Sequence, residues 1–112
     1  MRKDDLVYAG HMSDMARKAI EKLSGKSRSD FDGDENLQMA LAHIVQIIGE
    51  AARHVSPEFQ HLHPDIPWHN IIGMRHKVVH DDLHVEYDIV WDVVVADLPS
   101  LVIELTRIVP PQ

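Results

Sequence analysis

The sequence predicts an all-α protein, an up-and-down bundle of antiparallel helices that forms one domain over residues 1–112. Apolar residues recur every three or four positions in four separate segments, which is the period of an amphipathic helix. Glycine, proline and aspartate interrupt the pattern between these segments, as is typical of helix ends and turns. Hydrophobic residues make up 45% of the chain, so the composition supports a packed core.

The first two helices are predicted on either side of a polar loop. An apolar stripe runs from Leu6 to Leu23 and ends at Ser24-Gly25, and the polar, turn-rich residues 25–34 are predicted to be a loop. Asp34 is the expected N-cap of a second long helix, whose wide stripe runs from Leu37 to Val55. Ser56-Pro57 should end it, and residues 57–67 are interpreted as a structured connection.

A short third helix and a long fourth helix complete the predicted bundle. The third should begin near Pro67, run to about His80 and end at Asp81-Asp82. The fourth should run from about Glu86 to Arg107, with a kink at Pro99, because proline cannot donate a helical hydrogen bond. Four helices with short connections favour antiparallel neighbours.

Composition and charge exclude several classes of protein. The chain lacks cysteine, which excludes a disulfide scaffold, a thiolate metal site and a cysteine nucleophile. With no apolar leader and no run of 18 apolar residues, it is expected to be cytoplasmic and not a membrane protein. The net charge of −7 is uneven: residues 1–28 carry seven Lys and Arg against four Asp and Glu, and residues 29–112 carry four against fourteen. RNA binding should therefore be local, and the acidic part could face a basic protein partner or only solvent.

Arg75 and His80 form the pair of residues best suited to chemistry. Seven of the nine histidines lie between His54 and His84, and histidine titrates nearest to neutral pH. RNA cleavage without a metal needs a base for the ribose 2′-hydroxyl and a cation for the phosphate, and these two residues supply one of each. The spacing alone is common, so a helix end with a favourable cation near its dipole stays an open alternative. Three histidines spaced by four, His76, His80 and His84, leave a zinc site as a minor alternative.

Several longer stretches carry a resemblance to a known family. They are Ile48-Gly49-Glu50-Ala51-Ala52, Ile66-Pro67-Trp68, Ile71-Ile72-Gly73-Met74, the run from Arg75 to Asp82, the run from Val85 to Trp91, and Asp97-Leu98-Pro99. In this order they resemble the HepT-like branch of the HEPN superfamily over nearly the whole chain. The resemblance implies a bundle of four or five helices, a homodimer, and a metal-independent, cofactor-free RNA-cleaving toxin. It also implies a partner antitoxin of the minimal nucleotidyltransferase type.

The same resemblance assigns roles to individual residues. Arg75 and His80 match the Arg-x(4)-His motif and would be catalytic, with the motifs of both subunits lining one cleft. Glu50 matches the acidic residue of the second helix and is expected near that cleft. Lys77 is a further candidate for a phosphate contact, as a cation inside the motif.

The sequence departs from the family pattern two residues after His80. The pattern continues to a tyrosine, which the partner nucleotidyltransferase can modify with AMP, but Asp82 stands here. A carboxylate has no phenolic hydroxyl to modify, and together with Asp81 it adds negative charge where RNA phosphate should lie. Two hypotheses follow: an RNase toxin controlled in another way, or a weakly active or inactive module that binds a nucleotidyltransferase.

Overall fold

The computed structural model describes residues 3–81 and 84–109. In chain order its elements are α1 (Lys3–Leu23), α2 (Arg28–Asp32), α3 (Glu35–His54), α4 (Pro57–Leu62), α5 (Trp68–Ile72), α6 (Met74–Val78), β1 (Val79–Asp81), β2 (His84–Val85), α7 (Tyr87–Asp92), a π-helical segment (Val93–Asp97) and α8 (Leu98–Ile108).

The all-α prediction is confirmed, with one small antiparallel ladder between β1 and β2. The three long helical runs are α1, α3 and the continuous stretch from α7 to α8. Helix α3 lies at the centre, because it packs against α1, α5, α6 and α7. Its buried positions follow the predicted stripe: Leu41, Ile44, Val45, Ile48, Ala51 and Ala52.

Helix α1 is tied to the end of α3 by a buried carboxylate. Asp5 is only 2% exposed, and its Oδ1 and Oδ2 accept hydrogen bonds from the Ser56 backbone N–H and hydroxyl at 2.8 and 2.7 Å. Asp34 caps α3 as predicted, since its side chain accepts from the Leu37 N–H at 3.0 Å.

The prediction of a loop over residues 25–34 is wrong in part, because α2 lies inside it. Ser27 and Asp30 form a reciprocal capping box, which satisfies the backbone donors at the start of this short helix. Phe31 is fully buried and packs against Trp91 of α7 with ring centroids 5.4 Å apart. Burial of one aromatic ring therefore holds the turn in a helical conformation.

The connection over residues 57–67 also contains a helix, α4. The Ser56 hydroxyl accepts from the Phe59 N–H at 3.2 Å, and Pro57 occupies the first turn. Phe59 is fully buried, and the Trp68 indole packs against its ring edge-on at 6.1 Å. These contacts fix the start of α5.

The predicted third helix is split and ends early. Gly73 separates α5 from α6, and α6 ends at Val78, so His80 lies on β1 and not at a helix end. Val79 is extended, with φ −120° and ψ 106°, and it pairs with Val85. The β-branched pair Val78-Val79 and the 2.7 Å hydrogen bond from the Glu86 N–H to the Val78 carbonyl explain this early exit.

The fourth helical run extends from Tyr87 to Ile108, close to its predicted bounds, but its irregularity lies before Pro99. Residues Val93–Asp97 are π-helical, and the Leu98 N–H donates to the Val93 carbonyl. The predicted kink at Pro99 is thus corrected to a π-helical turn just ahead of it. Widening this turn accommodates the proline ring and its missing N–H without breaking the run.

Within residues 3–81 and 84–109, no helix combines the length and the apolar character that are needed to cross a bilayer.

Candidate functional site

Arg75 projects from α6 into solvent. Its neighbours Met74 and Val78 are buried, and this four-residue spacing anchors one face of α6 in the core. The residues between them, Arg75, His76 and Lys77, are therefore exposed. Among the described residues the Arg75 guanidinium has no hydrogen bond or ion pair, so its donors are available to a ligand.

Three polar side chains on the last turns of α3 form a connected group. Glu50 accepts from Arg53 Nη2 at 2.7 Å and from Nε at 3.4 Å, and it lies 3.3 Å from His54 Nε2. The hydrogen bond from Arg53, and secondly the contact with His54, lower the pKa of Glu50. His54 stacks on Tyr8 of α1 with ring centroids 5.3 Å apart. Glu50 is thus an ionised carboxylate with two ordered neighbours.

Gly49 lets α3 approach the segment that carries Arg75. A Cβ at position 49 would lie 3.1 Å from the Ile71 carbonyl oxygen, 3.7 Å from that of Ile72 and 3.9 Å from the Arg75 nitrogen. The first of these distances is tighter than an ordinary carbon–oxygen contact. Glycine at this position therefore sets the separation between Glu50 and Arg75.

This close packing leaves a hollow on the Arg75 side of α6, which we call the basic hollow. Its volume is about 350 Å³, and it is lined by Gly49, Glu50, Arg53, Ile72, Arg75 and His76. It holds two guanidinium groups and one carboxylate, with an imidazole beside them. Its net charge is positive at neutral pH, in a chain whose total is −7.

A second hollow of about 420 Å³ lies on the Lys77 side of α6, and we call it the acidic hollow. Four carboxylates line it, those of Asp65, Asp92, Asp97 and Glu104, with Lys77 as the cation among them. Glu104 also bonds Arg107 at 2.9 Å. The apolar part of its lining is formed by Ile71, Met74, Ile89, Val93, Ala96 and Leu101.

After Arg75, the backbone of the motif leaves α6 and continues into β1. His80 is the middle residue of β1, and Asp81 pairs with His84 across the ladder. Asp82 and the side chains of His80 and Asp81 lie outside the described part of the chain. The helix-to-strand change at Val79 means that helical periodicity does not relate Arg75 to His80.

Of the other predicted site residues, Glu50 lines the same hollow as Arg75. Lys77 lines a different hollow. Glu50 lines the basic hollow, but its hydrogen bonds within the described residues go to Arg53 and His54 and not to Arg75. Lys77 lines the acidic hollow. Arg53 was not among the predicted site residues, although its position one turn after Glu50 is a visible signal for an ion pair.

Comparison with known proteins agrees with the resemblance. The family model described as ribonuclease HepT-like matches residues 12–108. A protein named "Probable ribonuclease HepT" from Thermococcus cleftensis is 36% identical over 98 residues, which cover 84% of this chain and 88% of that protein. A protein named "Putative RNase" from Caldanaerobacter subterraneus subsp. tengcongensis is 35% identical over 94 residues, 84% of each chain. No solved structure gives a significant match.

Proposed function

Because the chain belongs to the HepT-like ribonuclease family of the HEPN superfamily, we propose that it is a metal-independent endoribonuclease toxin. It acts in the cytoplasm as a single domain that dimerises, and it cleaves RNA through Arg75 and His80 in a cleft between two subunits. The observation that carries this proposal is the exposed Arg75 guanidinium in the positively charged hollow, which has no hydrogen bond or ion pair with the residues that the structure describes.

The reaction is an internal transesterification. His80 takes the proton of the ribose 2′-hydroxyl, and the 2′-oxygen attacks the adjacent phosphorus. The bond from phosphorus to the 5′-oxygen breaks, and that oxygen takes a proton from water. Arg75 donates to the non-bridging phosphate oxygens as charge builds on them. The products are a 2′,3′-cyclic phosphate and a free 5′-hydroxyl.

Local charge supports Arg75, and not Lys77, as the phosphate ligand. Arg75 shares its hollow with one other arginine and one carboxylate, whereas Lys77 shares its hollow with four carboxylates. A phosphate that approached Lys77 would meet a net repulsion. Glu50 holds Arg53 beside the site, and in this proposal its role is to order the hollow's charges.

Incubation with single-stranded RNA in EDTA tests the proposal. Replacing either His80 or Arg75 by Ala should reduce cleavage by about 10²- to 10⁴-fold. Mass spectrometry of the 3′ ends should show cyclic phosphate. His11→Ala and Arg107→Ala are the matched controls, because both residues are exposed and lie outside the basic hollow.

Three results would contradict the proposed chemistry. They are cleavage that disappears in EDTA, cleavage that survives His80→Ala, and linear phosphate as the first product. Toxicity on expression should follow the same pattern, with growth arrest for the wild-type chain and normal growth for the two site variants.

The dimer is a separate part of the proposal. A cleft that contains both copies of the motif requires two subunits, and pairing would also bury more surface for a chain of 112 residues. Light scattering at micromolar concentration should give twice the monomer mass. A monomer that retains full activity would exclude the shared cleft.

The acidic hollow supports a partner of the minimal nucleotidyltransferase type. Its apolar lining and four carboxylates complement a segment with both basic and apolar side chains. With Asp82 at the family's tyrosine position, this docking could inhibit the toxin without AMP transfer. Co-purification with the product of a neighbouring nucleotidyltransferase gene tests the partner. Asp92→Asn combined with Asp97→Asn should weaken that association and reduce its salt dependence.

The same hollow favours the second candidate function, a binding module with little or no cleavage activity. This candidate expects stable association with the nucleotidyltransferase together with no cleavage in EDTA and no toxicity of the chain alone. Measured cleavage that depends on His80 would exclude it.

A further inference from the structure

We infer that Arg53 binds a second RNA phosphate in the basic hollow, next to the phosphate that Arg75 holds. This inference rests on the proposed function, because it assumes an RNA strand at Arg75. It adds a binding residue from α3 to a site that the motif alone places on α6 and β1.

The two arginines belong to different elements but line the same hollow. Arg53 lies near the end of α3, Arg75 lies on α6, and Gly49 brings these helices together. The volume of about 350 Å³ lies at the small end of the range for ligand sites, about 300–1,000 Å³, and suits a nucleotide-sized group. Two cations at one concave surface are an arrangement that favours consecutive phosphates of one strand.

Glu50 orders the Arg53 guanidinium without using all its donors. It accepts from Nε and from Nη2, which leaves three of the five N–H donors for a ligand. An arginine that is already held in place loses less side-chain entropy when it binds phosphate. The Arg53 side chain is 60% exposed, so RNA can reach it.

An ordinary surface ion pair is the competing explanation, and the chain provides a matched example. Arg107 pairs with Glu104 at the same three-residue spacing, at 2.9 Å, with its side chain 68% exposed. Glu104 lines the acidic hollow, so Arg107 belongs to a region of opposite charge. If Arg53 were only a surface pair, the two arginines would respond alike to substitution.

Binding of an uncleavable RNA tests the inference separately from catalysis. The probe is a fluorescent single-stranded RNA with 2′-O-methyl groups on every ribose, and its anisotropy gives Kd over a range of salt concentrations. Arg53→Gln should raise Kd about tenfold and reduce the slope of log K against log salt by about 0.7, the value for one lost phosphate contact. Arg53→Lys should keep the slope, and Arg107→Gln should keep both quantities.

The outcomes separate this inference from the proposed chemistry. Equal slopes for wild type, Arg53→Gln and Arg107→Gln would overturn the second phosphate contact, even if His80-dependent cleavage were found. A reduced slope for Arg53→Gln alone would support the contact, even if cleavage were absent. Failure of the wild-type protein to bind the probe would also overturn it. Circular dichroism of each variant checks that the fold is retained.

Discussion

One methyl group added at position 49 should destabilise the protein and weaken cleavage together. Gly49→Ala places a Cβ 3.1 Å from the Ile71 carbonyl oxygen, which is a backbone atom and cannot rotate away. The neighbouring segment must move by a few tenths of an ångström. That segment leads directly into α6 and Arg75, so a packing change becomes a change in the site.

Two opposing terms set the size of the effect. Alanine is better than glycine inside a helix by about 1 kcal/mol. Overpacking against backbone costs about 1–3 kcal/mol, so with a central value of about 2 the net loss is about 1 kcal/mol. For a domain of this size, about 1 kcal/mol lowers Tm by about 4 °C. Misplacement of Arg75 by a fraction of an ångström should reduce kcat/KM by about tenfold, since positioning errors of about 1 Å cost about 10²-fold.

Gly10→Ala is the matched control for this substitution. Gly10 also lies inside a long helix, but its added Cβ would meet only a side-chain methyl, Val109 Cγ1, at an ordinary 3.5 Å. The propensity term should dominate there and raise Tm by about 4 °C, with activity unchanged. Thermal unfolding followed by circular dichroism, with cleavage of RNA in EDTA, measures both variants. Equal stabilisation and full activity for the two variants would refute the close-packing argument.

Three further predictions concern the fold and the pH dependence. Asp5→Ala leaves the buried Ser56 N–H and hydroxyl without this acceptor. It should reduce the free energy of unfolding in urea by about 2–3 kcal/mol. A reduction below about 0.5 kcal/mol would contradict the stabilising role of these two hydrogen bonds. Phe31→Ala should cost about 3–5 kcal/mol and alter tryptophan fluorescence, whereas a neutral result would mean that α2 is not packed on the core. Because Arg53 lowers the pKa of Glu50, the stability that this carboxylate adds is present above its unfolded pKa and is lost as pH falls through the lower folded value. Glu50→Gln should thus lower the stability of the fold above pH about 4.3, and the difference from the wild type should disappear as the pH falls further. The pH dependence of cleavage near neutrality should stay unchanged, and a shift of that profile near pH 7 would contradict this.

The long helices were predictable because each carries a complete periodic signal. The stripe of α3 and its Asp34 cap were both confirmed, since apolar period and capping chemistry are local properties. Helix α2 was missed because its five residues carry no periodicity. Its existence depends on burial of Phe31 against Trp91, a contact between residues 60 positions apart, although the Ser27 to Asp30 capping box was a readable hint.

The end of α6 at Val78 could not be predicted from apolar periodicity. Periodicity extended the third helix to about His80, but the chain leaves the helix at Val79 because the segment pairs with Val85 and accepts from Glu86. Such pairing is decided by tertiary structure, which overrides local propensity. The hollows that Lys77 and Arg53 line could not be predicted from the sequence either. Each placement depends on which neighbouring helix meets the face that carries the residue.

The division of charge across α6 explains how an acidic chain could serve an RNA-cleaving site. Arg75 and Lys77 are two residues apart on one helical turn, so they project to different sides of α6. One side meets α3 and its Glu50–Arg53 pair, and the other meets the carboxylates of the fourth helical run. Since charges beyond about 10 Å are screened at physiological salt, the net charge of −7 matters less to a bound phosphate than the groups within the basic hollow. Under the proposed function, the remaining acidic surface would repel RNA from other approaches and favour its entry at Arg75.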